Sequence, residues 1–462
     1  MSINPREQVA LLRSLAEWTF LGAAAGVLSG LASAAFLIAL EWATNTREAD
    51  PRLIWLLPFG GAAIGWVYNK VGRQSEGGTP LLFERIHTRE GAISWLMAPL
   101  VAFGTIGTHL FGGSAGREGT ALQMGGSLAE SLGRVIGLRE EDRRLLLMGG
   151  ISGGFGSVFG TPVAGAFFGL EVLTVGRIRY DGLIPCVVGS IVGDMTCRSL
   201  GVGHHQYNAG PTPAFTPLFM LWVALAGVAF GLASLAFAEL THAIQNAFRF
   251  AIRVNWMRPF VGGLFVLGMT ELVGNRDHLG LSLPLIDRSF TPGGVSLWAF
   301  ALKLLFTSIT LGAGFKGGEV TPLFAIGATL GSTFAWVTGQ PTATFAALGF
   351  VAVLAGAANT PLTCAVLGME LFGSGLAAPL MLACVVSYIT SGHRGIYPSQ
   401  RIDTPKSSAI TMRADLPVSD AHHGAVQVGP AGVVPLGRWS PAPNPDFGAI
   451  PAIPPLDSTE SA

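Results

Sequence analysis

Two glutamates interrupt glycine-rich stretches of an otherwise apolar chain: Glu118 in "FGGSAGREGTALQMGGSLAESLG" (111–133) and Glu319 in "GAGFKGGEVTPLFAIGATLG" (312–331). A helix start carries unpaired N–H groups and the positive end of the dipole, which together hold an anion without a fixed positive charge. Glycine lets that anion approach the backbone, because no Cβ stands in the way. A glutamate in such a place is an anion tied to the protein. Ionised, it competes with a free anion for the amides; protonated, it has no reason to stay. Burial disfavours the charge and the helix ends favour it, so the group is poised to act as a gate set by protons. The structural alternative is a carboxylate that only pairs with neighbouring Arg117.

The elements that must position these groups are read from the apolar pattern. The 462 residues are 50% hydrophobic and 12% charged, against about 25% charged in a soluble domain. With Gly 63, that depletion points to membrane helices. Long apolar segments lie at 16–42, 94–111, 214–239, 258–273 and 296–314. The first is too long for a signal peptide and reads as a span. Shorter ones, broken by Gly or Pro, lie at 118–133, 145–158, 162–175, 320–337, 343–357 and 361–371. A perpendicular crossing takes ~20 apolar residues, so these are expected to be half-crossing or tilted helices inside a bundle. Broken helices at corresponding positions of two halves are a pointer to a transporter's binding site.

Two halves are visible directly. "FGTPVAGAFFGLEVL" (159–173) aligns with "ANTPLTCAVLGMELF" (358–372), placing Thr161 on Thr360 and Glu171 on Glu370 at an offset of 199. "REGTALQ" (117–123) aligns with "GEVTPLF" (318–324) at an offset of 201, and "GGTPLLFER" (77–85) has a looser partner in "LSLPLIDR" (281–288). The order is the same in both halves, which points to duplication. An odd number of crossings per half makes the repeats inverted; parallel repeats remain open at this stage. The expected organisation is an N-terminal segment 1–14, membrane repeats at 15–200 and 214–400, and a tail 401–462 rich in Pro, Gly, Ala and Ser. That tail is expected to be unstructured and removable from residue 406 onward, since it cannot bury enough apolar surface to offset its ordering entropy. Arg6, Arg13, Arg401, Lys406 and Arg413 suggest that both termini face the cytoplasm.

Several classes are set aside. A formal net charge of zero argues against a nucleic-acid partner. Cys186, Cys197, Cys364 and Cys384 lack metal-ligand spacing and read as small core residues. No Ser/His or His-metal constellation suggests hydrolysis; His109, His204 and His205 read as structural. No cofactor and no metal is expected, and the chain is not read as an enzyme. A cation transporter would need more carbonyl- or carboxylate-rich unwound backbone around Glu118 and Glu319.

At these residues the sequence resembles the CLC family of chloride channels and anion/proton antiporters over roughly residues 15–400. "GREGT" is similar to the family's G-K/R-E-G-P element, whose glutamate is the gate; that carries over to Glu118, with Gly116, Arg117 and Gly119 around the anion. "GGEVTP" resembles the G-x-F-x-P element, whose amides line the central anion site, here Gly318, Val320 and Thr321. "EGGTP" resembles G-S-G-I-P, implicating Gly77, Gly78 and Thr79, with Phe83 as a candidate for pathway lining. The tyrosine of "GHRGIYPSQRI" matches one whose hydroxyl donates to the central anion, here Tyr397. The resemblance implies an all-α membrane bundle of long and half-crossing helices in two inverted repeats, and a homodimer in the plasma (inner) membrane.

The departures carry information too. The serine of the first element falls on Gly77, the proline of the gate element on Thr120, and the phenylalanine of the third on Val320. The family's chloride/proton exchangers carry an inner proton glutamate after "FGTPVAGAFFGLE", where this chain has Val172; Glu171 then reads as structural, like Glu370. Instead a carboxylate, Glu319, is added beside the central site. "GREGT" together with "GGEVTP" resembles the family's fluoride-exporting branch, which exchanges fluoride for protons. The alternatives are a chloride/proton antiporter and a passive chloride channel.

Overall fold

The computed structural model describes residues 5–88, 91, 93–422 and 427–428. The first half builds α1 (Pro5–Ala49), α2 (Leu57–Val71), α3 (Gly78–Thr88), α4 (Met97–Leu110), α5 (Glu118–Val135), α6 (Glu140–Phe159), α7 (Pro162–Glu171) and α8 (Leu183–Ser199). The second builds α9 (Pro217–Ala251), α10 (Arg258–Val273), α11 (Leu283–Ser289), α12 (Ala299–Gly312), α13 (Val320–Thr338), α14 (Thr342–Ala358), α15 (Pro361–Phe372) and α16 (Ala377–Thr390). Each half repeats the same order of long and short helices. Lengths differ from the sequence reading: 145–158 and 320–337, read as short, became α6 and α13 with 20 and 19 residues, while 94–111 and 296–314, read as long, became α4 and α12 with 14 each. The loops carry the turn chemistry expected: proline at the starts of α7, α9 and α15, and left-handed residues closing α6 (Gly160, φ 72°), α13 (Gly339, φ 69°) and α14 (Asn359, φ 57°). Proline is harmless there because a first-turn N–H has no intrahelical partner.

Equivalent helices pack on equivalent partners. α5 lies on α6 and α13 on α14, and both pairs cross at glycines. A Cβ on Gly125 would stand 2.2 Å from the Gly150 carbonyl oxygen, and one on Gly327 would stand 2.0 Å from that of Gly349. Without water to drive apolar association, close backbone approach through small residues is how membrane helices gain contact. Outside this core, α1 and α9 turn large apolar side chains outward, Phe20 and Phe250 being 75% and 91% exposed. Among the described residues, α1, α9 and α13 are long and apolar enough to cross a membrane.

The relation of the halves is set by α7 and α15. Glu171, at the end of α7, accepts hydrogen bonds from the Leu362 and Thr363 amides at the start of α15 (3.0 and 2.7 Å) and from Thr363 Oγ1 (2.6 Å). Glu370, near the end of α15, accepts from the Val163 and Ala164 amides at the start of α7 (3.0 and 2.7 Å). Each helix thus ends where the other begins, so the two run antiparallel and the repeats are inverted. The pairing also gives the "TP…E" repeat its purpose: each carboxylate satisfies the other helix's free N–H groups. Glu171 is 6% exposed while Glu370 is exposed, so Glu171→Ala should cost about 1–3 kcal/mol and lower the melting temperature in detergent more than Glu370→Ala. Equal melting temperatures for the two variants would contradict this account.

Two boundaries differ from the sequence reading. Helix α1 already begins at Pro5, so most of the expected N-terminal segment 1–14 is its first three turns. The tail expected to be unstructured from residue 401 is folded over residues 401–422. Arg401–Ile402 pairs in parallel with Thr174–Val175 and antiparallel with Leu416–Pro417. Ile402, Val418 and Ala421 bury against Val175. The half-buried Lys406 donates through its ammonium to the Tyr388 carbonyl (2.6 Å) and to Ser391 Oγ (3.2 Å) at the end of α16. Composition hid this because the strap adds few apolar residues of its own and borrows a surface prepared by the first repeat. Residues 423–426 and 429–462 lie outside the described residues. Ending the chain at Pro405 should therefore destabilise it by several degrees relative to a chain ending at His422; equal melting curves would restore the expectation that residues from 406 on are removable.

Candidate functional site

The starts of α5 and α13, one from each repeat, meet inside the bundle. Gly116 and Gly318 form a short antiparallel bridge, N to O at 2.6 and 2.8 Å. The glycines are demanded by this approach. A Cβ on Gly318 would lie 2.6 Å from the Gly119 nitrogen, and one on Gly116 would lie 2.9 Å from Glu118 Oε2. Gly318→Ala should therefore cut transport at least about tenfold through a displaced site, since backbone atoms cannot yield as side chains do; normal flux from a folded variant would show the bridge to be dispensable. The loop is held from behind by His109, whose ring nitrogens lie 2.8 Å from the Thr105 and 3.0 Å from the Ala115 carbonyl oxygens. That is the structural role expected of His109.

Glu118 is fully buried and its carboxylate crosses to the other repeat. Oε2 accepts from the Thr321 amide in the first turn of α13 (3.0 Å) and from the Arg117 amide (3.1 Å). Oε1 accepts from the Thr321 hydroxyl. Arg117 Nε lies 3.5 Å from Oε1, so the pairing with arginine is present beside the helix-start contacts. Thr120, in place of the family's proline, shares a hydrogen bond with Thr105 of α4 (2.6 Å).

Two cavities approach this centre. One, about 790 Å3, is lined by Arg117, His204 and residues of the C-terminal part of α1. The other, about 210 Å3, is lined by Glu319, Gly77, Gly78, Thr79 and residues near the end of α9. The Glu118 carboxylate lies between Arg117, on the first cavity, and the α13 start, whose neighbour Glu319 faces the second. Gly78 opens α3 with φ +60°, a left-handed turn that suits glycine. Thr79 Oγ1 accepts from Gln123 Nε2 at 3.3 Å. Val320 is fully buried, so its side chain packs in the core and only its backbone belongs to the helix start.

Tyr397 is 1% exposed and its hydroxyl has no hydrogen-bond partner among the described residues. A buried hydroxyl without a partner carries a cost of about 1–3 kcal/mol, which an anion accepting from it would remove. Phe83 is fully buried, its ring edge-on to Tyr397 at 5.1 Å. Neither Phe83 nor Tyr397 lines either of the two cavities, and the two rings pack together. Gln123 and Lys316, both on the smaller cavity, were not singled out from the sequence. The available signal was a lone amide and a lone ammonium in apolar, glycine-rich surroundings. Among the described residues no group of His, Cys, Asp and Glu is arranged to hold a metal.

The profile described as voltage gated chloride channel matches residues 60–392. A "Chloride/fluoride channel protein" of Pseudomonas syringae pv. tomato is 47% identical over 406 residues, covering 87% of this chain and 90% of that one. An "H(+)/Cl(-) exchange transporter ClcA" of Cronobacter sakazakii is 28% identical, over 78% of this chain and 83% of that one. Among solved structures, the crystal structure of a CLC-type fluoride/proton antiporter superimposes with a TM-score of 0.82 at 33% identity, covering 84% of this chain and 98% of that one. A slow cyanobacterial Cl−/H+ antiporter shares the fold, with a TM-score of 0.71 at 18% identity over 81% of this chain and 94% of that one.

Proposed function

The chain belongs to the CLC family, the voltage gated chloride channels, an ion-transport family rather than one of enzymes, and from that membership we propose that it is a multi-pass membrane antiporter that exports fluoride in exchange for protons. The observation that carries the reading is the Glu118 carboxylate held at the start of α13 by the Thr321 amide and hydroxyl. Three donor groups hold the carboxylate as they would hold a halide. Protonation weakens that hold and frees the donors for the ion.

Glu319 completes the cycle. Ionised, it repels a halide; protonated, it offers one strong O–H donor beside the same helix start. Fluoride is the smallest halide and the strongest acceptor, so it gains most from that donor. Gly116, Gly119, Gly318 and the backbone of Val320 let the ion reach the amides. Tyr397 supplies a further hydroxyl, and Gly77, Gly78 and Thr79 line the approach from the smaller cavity. The inner proton residue of chloride exchangers is replaced by Val172, which leaves Glu319 as the carboxylate able to couple. The relative from Pseudomonas syringae and the fluoride/proton antiporter structure support the choice of substrate.

The same reading takes the protein as an inner-membrane homodimer with both termini in the cytoplasm. Arginines gather in the connections after α5, α7 and α9 (Arg139, Arg177, Arg179 and Arg253), as cytoplasmic loops do. Exposed apolar side chains of α8 and α16, including Ile191, Met195, Val385 and Ile389, offer a face for the second copy. A light-scattering mass in detergent near 48.1 kDa for the protein would remove the dimer. The function is tested in liposomes loaded with fluoride or chloride under an imposed pH gradient. Fluoride efflux coupled to proton uptake, with much slower chloride efflux, is expected. Equal fluxes would favour a chloride exchanger, and fluxes indifferent to the pH gradient a channel.

A further inference from the structure

The smaller cavity contains a cation that the gate does not use. Lys316 lies three residues before Glu319, and these are the two residues with a full charge among its lining, with His242 the one imidazole. The lysine stem is seated on α4, where a Cβ on Gly104 would stand 2.9 Å from Lys316 Cβ and Cγ. Its ammonium lies over the Tyr68 ring, 4.1 Å from the centroid. Among the described residues it has no hydrogen bond and no ion pair, although Arg85, Arg143 and Arg198 all find carboxylates. The carboxylate that acts electrostatically on it is that of exposed Glu76.

A cation positioned by packing and by a ring, in a small cavity whose other full charge is an acid, has an electrostatic consequence. With Glu319 ionised and no lysine, the cavity would be net negative and would exclude the anion that has to enter it. With the lysine, it is neutral overall and positive on the Lys316 side. Low-dielectric walls focus such fields, raising the local concentration of the attracted ion by about 10- to 1000-fold. The Tyr68 ring keeps the ammonium in place without neutralising it, because a cation–π contact leaves the charge available.

We propose that Lys316 recruits the transported small anion into the smaller cavity, whose lining carries one lysine against one glutamate. This rests on the reading of the centre as a halide pathway. Lys316 is a positioning residue for the anion before the central site is filled, and it takes no part in proton transfer. Its chemistry suits a small inorganic anion, which a single ammonium with three donors can hold weakly and release.

The test uses the full-length protein in liposomes, measuring initial fluoride flux over a range of fluoride concentrations at two ionic strengths set with an inert salt. Lys316→Gln should raise the apparent KM for fluoride about tenfold, leave the maximum rate and the proton-to-fluoride ratio within about twofold, and remove most of the dependence of KM on ionic strength. Lys316→Arg should restore KM to within about twofold. An unchanged KM in Lys316→Gln, a lowered maximum rate at unchanged KM, or no rescue by arginine would overturn the proposal in favour of a packing role. Should Lys316→Gln fail to fold, the wild type and Lys316→Arg decide: a KM indifferent to inert salt in both overturns it. Wild-type liposomes that carry chloride in preference to fluoride would sink the fluoride reading alone, and Lys316 would then be scored with chloride in the same assay.

Discussion

Glu118→Gln is expected to end proton-coupled transport while leaving the protein folded. The amide keeps the size and much of the polarity of the carboxyl, so the helix starts still have a group to hold at that place. It cannot ionise, so it cannot compete with the ion as an anion, and it has no proton to exchange. A positioned proton-transfer group contributes about 100- to 10000-fold to a rate, and a loss of proton flux in that range is predicted. Anion movement should persist or rise, uncoupled, because the tethered competitor is gone. Fluoride-driven proton uptake into liposomes, followed with a pH-sensitive dye, reads the outcome. Proton pumping at a near wild-type rate would show that Glu118 is not the gate, and the pairing with Arg117 at 3.5 Å would then be its purpose.

The second large effect is on selectivity. Glu319→Ala removes the carboxyl that faces the smaller cavity, and with it the O–H donor available to an entering ion. A hydrogen bond to a charged partner contributes about 1.5–3 kcal/mol, so fluoride flux should fall roughly 10- to 100-fold by the relation of about 1.4 kcal/mol per tenfold. Chloride, a weaker acceptor, loses less, and its flux should change little. Coupling of fluoride to protons should disappear with the residue. Glu319→Gln separates the two roles: it keeps a donor and cannot carry a proton, so more fluoride flux should survive than in the alanine variant while coupling is lost. Coupled fluoride transport in Glu319→Ala, measured with a fluoride electrode and a pH probe together, would remove Glu319 from the mechanism.

Much of this was legible because the relevant signals are local. A break of glycines before a glutamate, a Thr-Pro before a short apolar run, and the same order 200 residues later need no knowledge of contacts. Segments 118–133, 320–337 and 343–357 became α5, α13 and α14 within a few residues, since apolar length and Gly/Pro punctuation bound a helix wherever it packs. Glu171 and Glu370 were assigned to structure because they repeat. What each one holds was not legible: their partners are amides 191 to 207 positions away.

The tail shows where local signals mislead. The segment 401–422 has too little apolar content to fold alone, yet it folds on a surface that another part of the chain supplies. Gln123 and Lys316 lie inside the repeat stretches 117–123 and 312–331 without belonging to their glycine and glutamate pattern, and their meaning comes from the cavity they share with Glu319.

By itself the amino-acid sequence determined the helical membrane class and the duplication, through composition, period and short-range backbone chemistry, and the family, through the resemblance of its glycine-flanked motifs. The tertiary structure alone decided that the halves are inverted, through the exchange of caps between α7 and α15. It alone brought Glu118 to Thr321 across 203 positions and turned Glu319 and Lys316 into one cavity. Those outcomes depend on which surfaces fit when all the helices are packed, and close packing is a property of the assembled bundle that no single segment carries.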